Sequence, residues 1–162
     1  MTQKYIEKIL TARVYDVAIE TPLERARRLT ARLDNLVLLK REDLQQVFSF
    51  KLRGAYNKLF QLSQAGEVKG VIAASAGNHA QGLALAASRL GQKATIVMPK
   101  TTPRIKVESV KSYGAKIVLF GDTYDEASEH AHELAEKEDL NFIHSFDDPD
   151  VIAGQGTVGM EI

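Results

Sequence analysis

At 162 residues, with 44% apolar and 26% charged side chains, the chain has room for one domain with a real core. Its formal net charge is zero, so its composition offers neither a nucleic-acid-binding surface nor an acidic tail. It has no cysteine, which excludes disulfides and thiolate metal sites and suits a reducing compartment. No apolar run approaches the ~20 residues that span a bilayer, and residues 1–8 have no signal-peptide core. A cytoplasmic protein without membrane or nucleic-acid partners is expected.

Residues 3–18 read as a weak helix, with Tyr5, Ile6, Ile9 and Leu10 on one side. Thr21-Pro22-Leu23-Glu24 predicts a second helix start, with Thr21 as cap, Pro22 in the first turn and Glu24 at the capping-box position. Leu23, Ala26, Leu29 and Leu33 continue it at helical spacing. Leu36-Val37-Leu38-Leu39 predicts a buried strand that ends in the charged group Lys40-Arg41-Glu42-Asp43. Residues 52–65 predict a helix with Leu52, Ala55, Leu59 and Leu62 inward. Val71–Ala74 predicts a buried strand, 75–78 a turn and 79–90 a helix of small residues. Ala94–Met98 is the next strand. Thr102-Pro103 then caps a helix that Gly114 stops. Residues 117–120 are a strand, and Thr123 with Glu126 makes a capping box. The helix behind it carries the stripe Tyr124, Ala127, Ala131 and Leu134. Residues 142–144 form a short strand, and 150–162 begin a Gly-rich helix. Strands alternating with capped helices predict an α/β fold with a layered parallel sheet, whose ligands sit at the carboxyl ends of strands.

Two stretches near such ends carry chemistry. In Val47-Phe48-Ser49-Phe50-Lys51, a lysine follows an apolar, aromatic run and opens a helix. Burial disfavours its charged form, whose ordinary pKa is near ~10.4, and Schiff-base lysines need that environment. Read alone, the run is met more simply by a lysine whose stem lies along apolar surface. In Ser75-Ala76-Gly77-Asn78-His79-Ala80-Gln81-Gly82, a small-residue turn leads into a helix, where free N–H groups and the helix dipole favour an anion. An ordinary turn with Asn78 as N-cap serves as well. Neither a dinucleotide fingerprint nor a Walker loop is present. The four histidines share no ligand spacing, so no metal site is predicted. Asp147-Asp148 before Pro149 reads as a turn. Gly154-Gln155-Gly156-Thr157 fits a second anion site or close helix packing.

Together, Ser49–Tyr56 and Ser75–Gly82 resemble the lysine motif and the substrate-carboxylate loop of the pyridoxal-phosphate-dependent serine and threonine dehydratases. Lys40–Asp43, Val97-Met98-Pro99 and Val151–Thr157 match in the expected order. The resemblance covers nearly all the chain and implies the tryptophan-synthase-β-like fold. Within the family, Lys40–Tyr56 is most similar to the biosynthetic members that act on threonine and yield 2-oxobutanoate and ammonia.

The resemblance implies that Lys51 bonds pyridoxal 5'-phosphate and then takes the substrate Cα proton. It places Phe50 against the cofactor ring and Asn78 on the ring hydroxyl. Ser75, Ala76, Gly77, Asn78 and His79 would form the carboxylate loop, largely through backbone amides. Ala76 stands where serine racemases carry a proton-donating serine, which favours elimination. The family's phosphate loop follows the Gly-Gln-Gly-Thr helix, so the 162 residues are expected to be an N-terminal part. On this division 1–53 begins the large domain, 54–151 is the small α/β domain and 152–162 starts the return helix. Low activity of this part alone, exposed apolar flanks and a homo-oligomeric full-length enzyme follow as expectations. A serine dehydratase, a racemase, a β-replacement synthase or a non-catalytic module are the alternatives.

Overall fold

A computed structural model describes residues 2–66 and 68–162; Met1 and Glu67 lie outside the described residues. The central sheet is built from β3 (Val71–Ala74), β4 (Ala94–Met98), β5 (Lys116–Leu119) and β6 (Asn141–Phe142), once the flanking β1 (Leu23–Arg25) and β2 (Leu38–Lys40) are numbered first. Its order is β5-β4-β3-β6, and every pair is parallel. The expected layered α/β fold is therefore present. The helices are α1 (Thr2–Leu10), α2 (Arg27–Leu33), α3 (Lys51–Ala65), α4 (Asn78–Arg89), α5 (Arg104–Lys111), α6 (Tyr124–Glu138) and α7 (Pro149–Met160).

Alternation along the strands assigns the two faces. Val71, Ala73, Ile96 and Met98 meet a core built from α3, α4 and α7. Ile72, Ala74 and Val97 meet Ala127, Ala131 and Ala135 of α6. Burial on both faces explains why β3 and β4 read as continuous apolar runs. The predicted capping box closes α6, with Glu126 N–H donating to Thr123 Oγ1 and Thr123 N–H to Glu126 Oε2. Tyr124, placed in its apolar stripe, is half exposed.

Glycines set the helix spacing where backbones nearly touch. A Cβ on Gly82 of α4 would lie 2.9 Å from Leu52 N and 3.0 Å from Lys51 C. A Cβ on Gly154 of α7 would lie 2.6 Å from Arg53 O. The Gly154–Thr157 stretch lies inside α7, so helix packing, not an anion site, accounts for it.

The flanks correct several expectations. The first helix ends at Leu10 instead of running to 18. Thr21-Pro22-Leu23-Glu24 starts no helix: Leu23–Arg25 is a strand paired antiparallel with Leu38–Lys40. Thr21 is no cap, because its hydroxyl donates to Glu42 Oε1 at 2.6 Å, and Glu24 pairs with Arg41 at 2.6 Å. The leucines at 36, 38 and 39 are exposed, and α2 buries no side chain. Local pattern located the apolar stripe, but its strand pairing is with Leu23–Arg25, on the far side of α2. Thr102 does not cap α5, which begins behind Pro103 without a side-chain cap. Asp148, read as part of a turn, caps α7 by accepting from Asp150 N and Val151 N.

Candidate functional site

Three adjoining pieces of chain meet at the carboxyl end of the sheet. The first is the start of α3. Phe48 has φ +55°, a left-handed backbone that bulky residues rarely adopt. On either side of it Val47 and Ser49 are buried, while Phe48 is largely exposed. Ser49 Oγ accepts from Lys51 N–H at 3.2 Å. Lys51 Nζ donates to the carbonyl of Ser145 at 2.8 Å and stands 5.5 Å from the Phe50 ring centroid. Burial pulls the amine below the ordinary lysine range.

The second piece is the turn between β3 and α4. Ser75 extends the ladder through its N–H to Val97 O. Its Oγ accepts from Gly77 N–H and Ala80 N–H, both at 3.3 Å. Gly77, not Asn78, is the N-cap, and Asn78 is the first residue of α4. Among the described residues, the N–H groups of Asn78 and His79 have no hydrogen-bond acceptor. A Cβ on Gly77 would meet nothing within 4 Å, so packing within the chain does not demand glycine there. Ala76 lies half-buried beside it.

The third piece, Ile143–Asp147, follows β6. Its Ile143 carbonyl accepts from His79 Nε2 at 3.1 Å. A carbonyl only accepts, so Nε2 carries the hydrogen. The other ring nitrogen, Nδ1, is buried without a partner among the described residues. Burial lowers the His79 pKa to about 4, against the Ile143 bond that would raise it, and the charge of nearby Lys51 adds to the lowering. The His79 imidazole is thus a neutral, internal group, and only the backbone of this residue belongs to the loop's outer side. His144 Nδ1 accepts N–H bonds from Phe146 and Asp147 at 3.2 and 2.7 Å.

Lys51, Phe50 and the Ser75–His79 turn, predicted from separate stretches, converge. Sequence reasoning missed the Ser145 carbonyl and the packing role of Gly82, since neither has a local signal. It also missed a buried ionic group behind α3. Arg53, fully buried, meets Glu42 through Nε and Nη2 at 2.9 Å each. It meets Glu161 through Nη1 at 2.5 Å and Nη2 at 2.9 Å. Lys40 adds a contact to Glu161 at 2.6 Å. A cavity of about 340 Å³ bordered by Lys69, Lys93 and Lys116 lies at the opposite, amino end of the sheet.

The family described as pyridoxal-phosphate dependent enzyme matches residues 14–162. The chain is 61% identical to a biosynthetic, chloroplastic threonine dehydratase of Arabidopsis thaliana, covering 98% of this chain and 27% of that protein. It is 58% identical to a biosynthetic L-threonine dehydratase of Burkholderia multivorans, covering 98% and 32%. Among solved structures, the processed form of threonine deaminase isoform 2 from Solanum lycopersicum superposes with a TM-score of 0.92 at 58% identity, over 98% of this chain and 44% of that one. Maize serine racemase gives 0.90 at 34% identity, over 96% and 48%. The chain thus spans about a quarter to a third of the curated relatives it matches.

Proposed function

The chain belongs to the family of pyridoxal-phosphate dependent enzymes, and from that premise we propose that it carries the lysine and the substrate-carboxylate loop of a threonine dehydratase. The observation that carries the reading is that the Lys51 amine and the helix-start turn with unpartnered N–H groups meet the same segment, Lys51 at Ser145 O and His79 at Ile143 O, with Gly82 of α4 packed on the start of α3.

The residues present fit the cofactor. Lys51 is a primary amine beside an aromatic ring, and open space lies off Gly77, where a side chain would stand. Lys51 would hold the cofactor covalently, with Phe50 against its ring and Asn78 on the ring hydroxyl. When bound, the cofactor supplies the electron sink for loss of the substrate's Cα proton and β-hydroxyl. Ser75, Gly77, Asn78 and His79 hold the substrate carboxylate at the start of α4, where the helix dipole favours negative charge. Lys51 Nζ takes the Cα proton, a role that suits an amine lowered by burial. Ala76 offers no hydroxyl to return a proton from the opposite face, so elimination of threonine to 2-oxobutanoate and ammonia is favoured over racemisation.

In this reading residues 1–53 and 152–162 belong to the larger of two domains and 54–151 form the smaller. The chain covers under half of the threonine deaminase structure it resembles, so these residues alone are expected to turn threonine over poorly. A cytoplasmic location and a homo-oligomeric parent enzyme belong to the same proposal.

The test is cofactor titration of the chain, followed by borohydride reduction and peptide mapping. The expected result is one reduced adduct, on Lys51, that Lys51→Ala abolishes. Adducts scattered over surface lysines, unchanged in Lys51→Ala, would refute the assignment of Lys51. Steady-state rates of the parent enzyme with threonine and serine would settle substrate preference.

A further inference from the structure

The turn that carries the carbonyl receiving Lys51 is contacted on both sides of Ser145 by an imidazole. Ile143 is anchored through its N–H to Ile72 O at 2.8 Å and through its buried side chain. Those contacts fix its position but leave the following peptide able to rotate. The His79 Nε2–H bond to Ile143 O fixes that peptide from the α4 side. One residue on, His144 folds back so that Nδ1 accepts the N–H groups of Phe146 and Asp147. Its ring packs edge-on against Phe146, with centroids 4.5 Å apart. Between these two clamps lies Ser145, whose carbonyl meets Lys51 Nζ.

We propose that His79 and His144 are positioning residues for Lys51: together they hold the Ile143–Asp147 turn so that the Ser145 carbonyl seats Nζ. This deepens the reading of Lys51 as the reacting amine and rests on it. An amine that donates one N–H to a carbonyl keeps its other positions, and its lone pair once a proton has left, directed elsewhere. The seat therefore fixes the direction from which Nζ attacks or takes a proton, without consuming the lone pair. His79 is suited to the task because it is almost completely buried and its second nitrogen is engaged by nothing among the described residues. Its single hydrogen bond goes to the turn. An ordinary helix residue at this position would need no such polar atom inside the core, where an unpaired ring nitrogen is costly.

The experiment follows the amine itself in the cofactor-free chain. The rate of acylation of Lys51 by an amine-specific reagent is measured by peptide mass mapping at fixed pH, relative to exposed Lys93. In His79→Leu and in His144→Phe, with circular dichroism unchanged, the Lys51/Lys93 ratio is expected to rise at least fivefold. His79→Gln, which keeps a side-chain N–H donor, should return it to within twofold of wild type. An unchanged ratio in either folded variant would overturn the proposal. If His79→Leu does not fold, His144→Phe decides the matter, since its ring is only half-buried and the phenyl keeps the contact with Phe146. Independently, long-range proton–nitrogen NMR of the wild type should show His79 as the Nε2–H tautomer, and an Nδ1–H tautomer would equally overturn it. No cofactor enters these measurements. Failure of the seat and failure of the cofactor assignment are therefore told apart.

Discussion

Arg53 shows how charge is kept inside this chain. Its guanidinium is forked between two carboxylates, and Lys40 balances the second, so two cations face two anions. Burial pushes the Glu161 carboxyl up, but hydrogen bonds from Arg53, Lys40 and Tyr15 overcome it and hold it at about 2. Removing one partner of such a group strands the others, so Glu161→Gln should cost about 3–5 kcal/mol in urea unfolding at neutral pH. A loss below ~1 kcal/mol would show that the fork is not a stabilising contact. The sign with pH is set by a depressed carboxyl. Its contribution is complete above the ordinary value of 4.5 and fades as pH falls towards about 2, so the variant should lose less stability than wild type over that window. None of this was legible in the sequence. Lys40–Asp43 reads as a charged strand end, and Glu161 stands 108 positions from Arg53. The placement of Lys51 at a helix start was legible, because the aromatic run before it is local, whereas its proposed role came only from the resemblance of Ser49–Tyr56 and Ser75–Gly82 taken together.

At the scale of elements, what the sequence revealed follows from where each element finds its partners. Strands β3 and β4 and helices α3, α4 and α6 were legible because their patterns match their own burial. The β1–β2 pair was not, since Thr21-Pro22 imitates a helix start that strand pairing overrides. Spacing between helices was hidden too, because it depends on which backbone a glycine faces. Gly82→Ala would drive a Cβ to 2.9 Å from Leu52 N, and backbone cannot move aside as a side-chain tip can. We expect thermal unfolding to show a loss of about 1–3 kcal/mol, with Lys51 displaced along with the start of α3. Gly159→Ala, on α7, is the contrasting case, since the added Cβ would meet nothing within 4 Å outside its own helix turn. It should stabilise the helix by up to about 1 kcal/mol. Equal effects from the two substitutions would contradict the packing role assigned to Gly82.

Over the whole molecule, apolar surface is unevenly distributed. Leu23, Leu29, Leu33, Leu36, Leu38 and Leu39, on β1, α2, β2 and the turn between them, are all exposed. Exposed leucines scattered singly need no explanation, but six within residues 23–39 concentrate apolar surface on one small unit of the chain. Sedimentation of the 162-residue chain should therefore show concentration-dependent association, and Leu36→Glu with Leu38→Lys should reduce it. A chain that stays monomeric at millimolar concentration would refute this. Among the described residues no helix is long and apolar enough to cross a membrane, so these leucines do not mark a helical span.

The shortness of β6 carries a consequence for motion. It joins the sheet through two residue pairs at one edge, whereas β3 is held on both sides. Edge strands so brief detach in local fluctuations that cost far less than global unfolding. The seat of Lys51 hangs from that strand, while Lys51 itself stands on a helix locked by buried packing. Amide hydrogen exchange should accordingly be faster in the Ile143–Asp147 turn than in the middle of α3, the two imidazole contacts re-forming the turn after each local opening. An amine held in this way gains its freedom by the departure of its partner, while its own backbone stays still.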